Sequence, residues 1–182
     1  MAPPARTARL AGVSSDSSAL ARRIEAHLGS RDVARIIYGA VVGLALVVAL
    51  QSHPPGAATT AVLLLATAVA IGLAELYSEF LSLEARQRRL LTRGEVRELA
   101  GESLAVVFGA GFPAIFFVLS ALGAFSTSLA FTLSRWTGLA LICAYGFLAA
   151  RLAGASVGRG LGHAFAVGLI GGALIAVKAV LH

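Results

Sequence analysis

Five apolar stretches, residues 33–50, 59–83, 103–122, 129–150 and 161–181, set the terms on which this chain can fold. Each has roughly the 17 to 25 residues needed to cross a hydrocarbon core of about 30 Å. Lipid offers no water to backbone N–H and C=O groups, so a crossing segment must satisfy them within a helix or in a closed barrel. Period-two alternation is absent, and a barrel needs many short amphipathic strands. The sequence therefore predicts an all-α polytopic membrane protein with five transmembrane helices. With 58% hydrophobic and 13% charged residues and a mean hydropathy of +0.85, the chain is far from the balance of a soluble domain, and its natural surroundings are a lipid bilayer.

Charge placement supplies the expected orientation. The net charge of +6 and a pI near 10.7 would suit nucleic acid if the basic residues formed a surface, but they follow the spans. Arg6, Arg9, Arg22, Arg23, Arg31 and Arg35 precede the first, Arg86, Arg88, Arg89, Arg93 and Arg97 join the second to the third, and Arg151 and Arg159 join the fourth to the fifth. Only Arg135 and Lys178 fall on the other side. The positive-inside rule then predicts a cytoplasmic N-terminus and an external C-terminus, with no nucleic-acid partner. Heavy use of Ala and Arg with a single Lys fits a high-GC bacterium and an inner (plasma) membrane. Arg135, beside Trp136, is expected to snorkel at the outer interface.

Three regions are expected along the chain: a disordered tail over 1–15, an amphipathic cytoplasmic helix over 16–31 and a five-helix transmembrane domain over 32–182. Asp16 or Ser17 offers an N-cap for the short helix, and Leu20, Ile24 and Leu28 share one face. No cleavable secretory signal is evident, so the first span is expected to act as its own insertion signal. Gly168 and Gly172, and the series Gly154, Gly158, Gly162, allow close helix approach, within the bundle or across a homodimer seam. Pro113 should kink the third span, Gly94 should mark the turn before it, and Cys143 is expected to be a packing residue.

Two acids stand where lipid disfavours them. Glu75 and Glu79 lie one turn apart near the inner end of the second span, on a face shared with Ala68, Gly72, Ser82 and Arg86. Such carboxylates must face a partner, the bundle interior or water. One reading is an ion pair with Arg35, Arg151 or Arg159. Another is cation binding: paired carboxylates give hard oxygen ligands suited to Mg²⁺, Mn²⁺ or Fe²⁺, with Glu102 adding a third and His163 a nitrogen. No nucleophile–base pair, phosphate loop or CxxC motif is present, so no enzymatic activity is expected.

Several motifs together resemble the vacuolar iron transporter family. "IEAHLGSRDVARIIYGAVVGL" is similar to that family's entry into its first span, and "AELYSEFLSLEAR" to its second-span ending, with Ser78, Glu79, Phe80, Leu81 and Ser82 at a Gly-Glu-Tyr-Leu-Ser type motif. "FGAGFPAIFF" resembles its Gly-Ala-x-x-Pro third span through Gly109, Ala110 and Pro113, and "GFLAARLAGASVGRGLGHAFAVGLIGG" its closing segment. The resemblance implies a homodimer of five-helix subunits that exchanges divalent iron or manganese for protons, with the cation as substrate and Glu79 at a matching position; Glu75 and Glu102 join it as candidate metal ligands on the reading of the residues alone. The chain also departs from the family. Val42 stands where the family has an aspartate in its first span, Glu75 where it has a methionine, and only about twenty residues replace the cytoplasmic metal-binding helices of its iron-specific members. A non-transporting scaffold or accessory subunit with the same fold is the alternative expectation.

Overall fold

The computed structural model describes residues 30–180. The tail over 1–15 and all but the last two residues of the helix expected over 16–31 lie outside the described residues. Six helices follow: α1 (Ser30–Leu50), α2 (Ala57–Gln87), α3 (Arg93–Gly111), α4 (Ala114–Ala121), α5 (Thr127–Leu152) and α6 (Val157–Val180). Each boundary has a local cause. Asp32 sits in the first turn of α1, where a negative charge complements the helix dipole. Two prolines and Gly56 separate α1 from α2, and the Thr60 hydroxyl donates back to the Gly56 carbonyl at 3.1 Å.

α3 opens with a capping box. The Thr92 side chain accepts from the Glu95 N–H at 3.4 Å, while the Glu95 carboxylate accepts from the Thr92 N–H at 2.8 Å. This moves the expected turn. Gly94 lies inside the first turn of α3, and the reversal is made by Arg88, whose φ of 50° is left-handed. Ser126 caps α5 by accepting from the Leu129 N–H at 3.3 Å, and Gly154, at φ +78°, ends the same helix in a left-handed conformation that suits glycine.

α1, α2 and α5 are each long and apolar enough to cross a bilayer, and α3 with α4 forms a fourth crossing if the bent pair is taken as one span. The chain is an all-α membrane protein with three to four such spans among the described residues. The expected third span is broken into two helices rather than merely kinked, with axes 55° apart. Pro113 has no N–H to offer the Gly109 carbonyl, so the ladder ends with the bond from Phe112 N–H to the Phe108 carbonyl. On the other side of the break, the buried Ser134 hydroxyl of α5 donates to the Pro113 carbonyl at 3.3 Å.

Sequence neighbours α1 and α2 touch sparingly, whereas α1 packs most extensively on α3 and then on α5. α2 in turn lies on α3 and α4, and α6 on α5. α1 and α3 run parallel, with Gly39 and Gly43 on one and Gly109 on the other. A methyl group at Gly39 would collide with the Val106 carbonyl, one at Gly109 with the Ile36 carbonyl, and one at Gly43 would lie 2.6 Å from the Ala110 carbonyl. Backbone therefore meets backbone along this seam. Of the glycines expected to mediate close approach, Gly168 meets the Cys143 sulfur, whereas Gly158, Gly162 and Gly172 face open space and Gly154 serves the turn. At the α1 C-terminal end, Phe117 and Phe131 meet edge-on at 4.7 Å between ring centres, packed with Val47 and Leu64.

Gly39→Ala and Gly109→Ala should each destabilise the detergent-solubilised protein by about 1–3 kcal/mol, as overpacking does in a tight core. Gly158→Ala and Gly162→Ala should leave thermal unfolding unchanged or slightly raised. Equal effects at the four positions would refute the assignment of the seam.

Candidate functional site

The seam between α1 and α3 continues to the Arg35 end of the bundle as an ion pair. Arg35 and Glu102 are 67 residues apart, and the same offset relates Gly39 to Val106 and Gly43 to Ala110 one and two turns further along. Parallel helices in fixed register repeat their neighbours every turn, so once the glycines bring the backbones together, Arg35 and Glu102 fall opposite each other. The Arg35 Nη1 donates to Glu102 Oε2.

α2 brings the other two acids. Glu75 Oε1 lies 3.5 Å from Arg35 Nε, and Glu79 Oε2 lies 3.8 Å from Nη2. Gly72, one turn before Glu75, lets α3 approach this face, because a side chain there would run into Val107. The length of α2 sets the depth. Its 31 residues span about 46 Å at 1.5 Å per residue, well beyond a hydrocarbon core of about 30 Å. Counted from Ala57, Glu75 lies just inside that limit and Glu79 at it.

All three sequence-predicted site residues, Glu75, Glu79 and Glu102, therefore meet around one guanidinium. Of the three arginines considered as partners, Arg35 takes all three acids. Arg151 is exposed and donates to the Ala155 carbonyl at 2.9 Å, and exposed Arg159 has its carbonyl bonded to the His163 ring nitrogen at 3.0 Å. The Arg35 side chain is 13% exposed, against 21% for Glu102, 31% for Glu75 and 40% for Glu79. The guanidinium is thus the most enclosed member, and the acids lead outward from it to solvent. With all side chains ionised, three carboxylates and one guanidinium leave two negative charges uncompensated.

Glu79 and Glu102 also line a crevice of about 190 Å³ with Glu95, Glu98 and Gln87. Exposed Gln87 and Glu98 stand at its solvent rim. Glu95 and Glu98 were not foreseen as neighbours of the site. The signal was present in "GEVRELAGE", where Glu95, Glu98 and Glu102 follow helical spacing on α3. Glu95 is also held by Arg89 at 2.7 Å. Among the described residues, no group of three or more His, Cys, Asp or Glu side chains is gathered as a metal-ligand set. Chemically, the cluster ties three helices together through one guanidinium and holds more carboxylates than cations.

Removing the enclosed partner should cost most. Glu102→Gln should lower stability by about 2 kcal/mol, since it leaves a mostly buried guanidinium with weaker partners. Glu79→Gln, at the exposed rim, should change it by less than about 1 kcal/mol. A double-mutant cycle on Arg35 and Glu102, read by thermal unfolding, should give a larger coupling than the cycle on Arg35 and Glu79; the reverse order would refute the arrangement. No protein-family profile, no curated protein and no solved structure matches this chain.

Proposed function

We propose that this membrane protein is of transporter type and handles cations at the Arg35 cluster, moving a divalent ion such as Fe²⁺ or Mn²⁺ in exchange for protons. The observation that carries the reading is the unbalanced charge: three carboxylates from two helices converge on a single guanidinium beside an acidic, water-facing crevice. A partly enclosed site with two surplus negative charges attracts either protons or a cation. Carboxylate oxygens suit hard and borderline divalent ions. In this reading Glu75, Glu79 and Glu102 are ligands or proton carriers, and Arg35 is the resident counter-charge that an arriving ion displaces.

The proposal includes five crossings, with α6 as the fifth, a cytoplasmic N-terminus, an external C-terminus, a location in the inner (plasma) membrane and assembly as a homodimer. It draws on the length of α6, the distribution of arginine and the resemblance to the vacuolar iron transporter family. A second reading is favoured by the same contacts: because Arg35 already engages every acid, the cluster also suits a non-transporting scaffold in which the ion pairs only fasten α1, α2 and α3.

Reconstitution separates the two. In proteoliposomes, Mn²⁺-dependent proton flux should be present for the wild type and lost in Glu75→Gln/Glu79→Gln, with the folded assembly retained. Flux that survives the double substitution removes these residues from the site. Absence of flux in the wild type, together with a stability loss in Arg35→Glu that is restored in Arg35→Glu/Glu102→Arg, would support the scaffold.

A further inference from the structure

At the end of the bundle opposite the glutamates stands a cation with no carboxylate beside it among the described residues. Arg135 lies on α5 between buried Ser134 and Trp136, the latter 62% exposed. Its Nη1 donates to the Gln51 side-chain oxygen at 3.3 Å, just past the end of α1. Its Nε is buried and has no hydrogen-bond partner. Among the described residues every Asp and Glu is on the first turn of α1, the second half of α2 or the first half of α3, all toward the other end. A neutral amide is thus the one hydrogen-bond partner of this guanidinium among the described residues.

A partly desolvated guanidinium with one neutral partner is stabilised by an anion that offsets its desolvation. We infer that Arg135 is a binding site for the phosphate of an anionic phospholipid. Depth supports a lipid source. Arg135 and Arg151 are separated by about 24 Å of helix, so with Arg151 at one boundary of a roughly 30 Å core, Arg135 lies close to the other. Trp136, the next residue on α5, is 62% exposed, as aromatic residues at the headgroup level are. The guanidinium fork matches two phosphate oxygens. An anionic headgroup is preferred to a zwitterionic one because no carboxylate among the described residues lies at this end to receive an ammonium group.

The test uses the full chain, delipidated in non-ionic detergent, as wild type, Arg135→Gln and Arg135→Lys. Thermal unfolding is followed with added phosphatidylglycerol, phosphatidylcholine or inorganic phosphate, and retained lipid is counted by native mass spectrometry. Phosphatidylglycerol should raise the wild-type midpoint by about 5 °C through selective binding to the folded state. It should not raise that of Arg135→Gln, which should also carry fewer lipids, and Arg135→Lys should show a reduced shift because it keeps the charge without the fork. An equal shift in wild type and Arg135→Gln overturns the site. Inorganic phosphate matching phosphatidylglycerol overturns the lipid assignment in favour of a free anion. If Arg135→Gln does not fold, the comparison of Arg135→Lys with wild type decides: a smaller shift supports the site and an unchanged one overturns it.

Discussion

Backbone contact between α1 and α3 is the constraint on which the rest of this bundle depends. Lipid chains solvate apolar side chains as well as other helices do, so the hydrophobic effect does little to select one helix pairing over another inside a bilayer. Selection falls to shape. Gly39 and Gly43 against Val106, Gly109 and Ala110 remove the side-chain layer that would hold two helices apart. The approach fixes register as well as distance, and register carries Arg35 to Glu102 at the end of the same seam.

The bundle buries small residues at its close helix contacts, around enclosed larger ones such as Leu44, Leu64 and Phe117, and turns further large apolar side chains outward. Ala40, Ala68, Ala110, Ala114, Ala130 and Ser134 are buried, while Leu73, Tyr77, Trp136, Phe165 and Leu169 are exposed. In water this distribution would be an aggregation hazard; in lipid it follows from the absence of a penalty for exposed apolar surface. Charge is sorted along the bundle axis by the same medium. Acidic groups gather where α2 and α3 run past the hydrocarbon boundary, and the one guanidinium buried among them is held by ion pairs from two other helices. At the far end Arg135 has, among the described residues, the Gln51 amide. Locally, three carboxylates meet one guanidinium at one end of the bundle, while at the other Arg135 meets no carboxylate among the described residues.

Sequence by itself determined the medium, the helical class and the approximate place of each apolar segment, because hydropathy and backbone hydrogen bonding in lipid are properties of contiguous residues. It also placed Glu75 and Glu79 on one face near a boundary, since 3.6 residues per turn and 1.5 Å per residue suffice for that. Helix breaks were legible to a lesser degree: Pro113 announced an interruption but not its 55° size, which depends on how α4 packs against α2 and α5. The start of α3 was written in Thr92 and Glu95, and the left-handed turn fell to Arg88 where Gly94 had been the natural candidate.

Only the tertiary structure decided which partner each acid takes and which glycines matter. Gly39-x-x-x-Gly43 and Gly168-x-x-x-Gly172 have the same pattern, yet the first pair meets a facing backbone, whereas Gly168 meets a cysteine side chain and Gly172 faces open space. Arg35, Arg151 and Arg159 all belong to the same side of the expected topology, and only the first reaches the glutamates. The physical reason is that helical periodicity specifies a face but not its neighbour. The neighbour is chosen by complementarity between residues 67 positions apart in the chain, which no local pattern records.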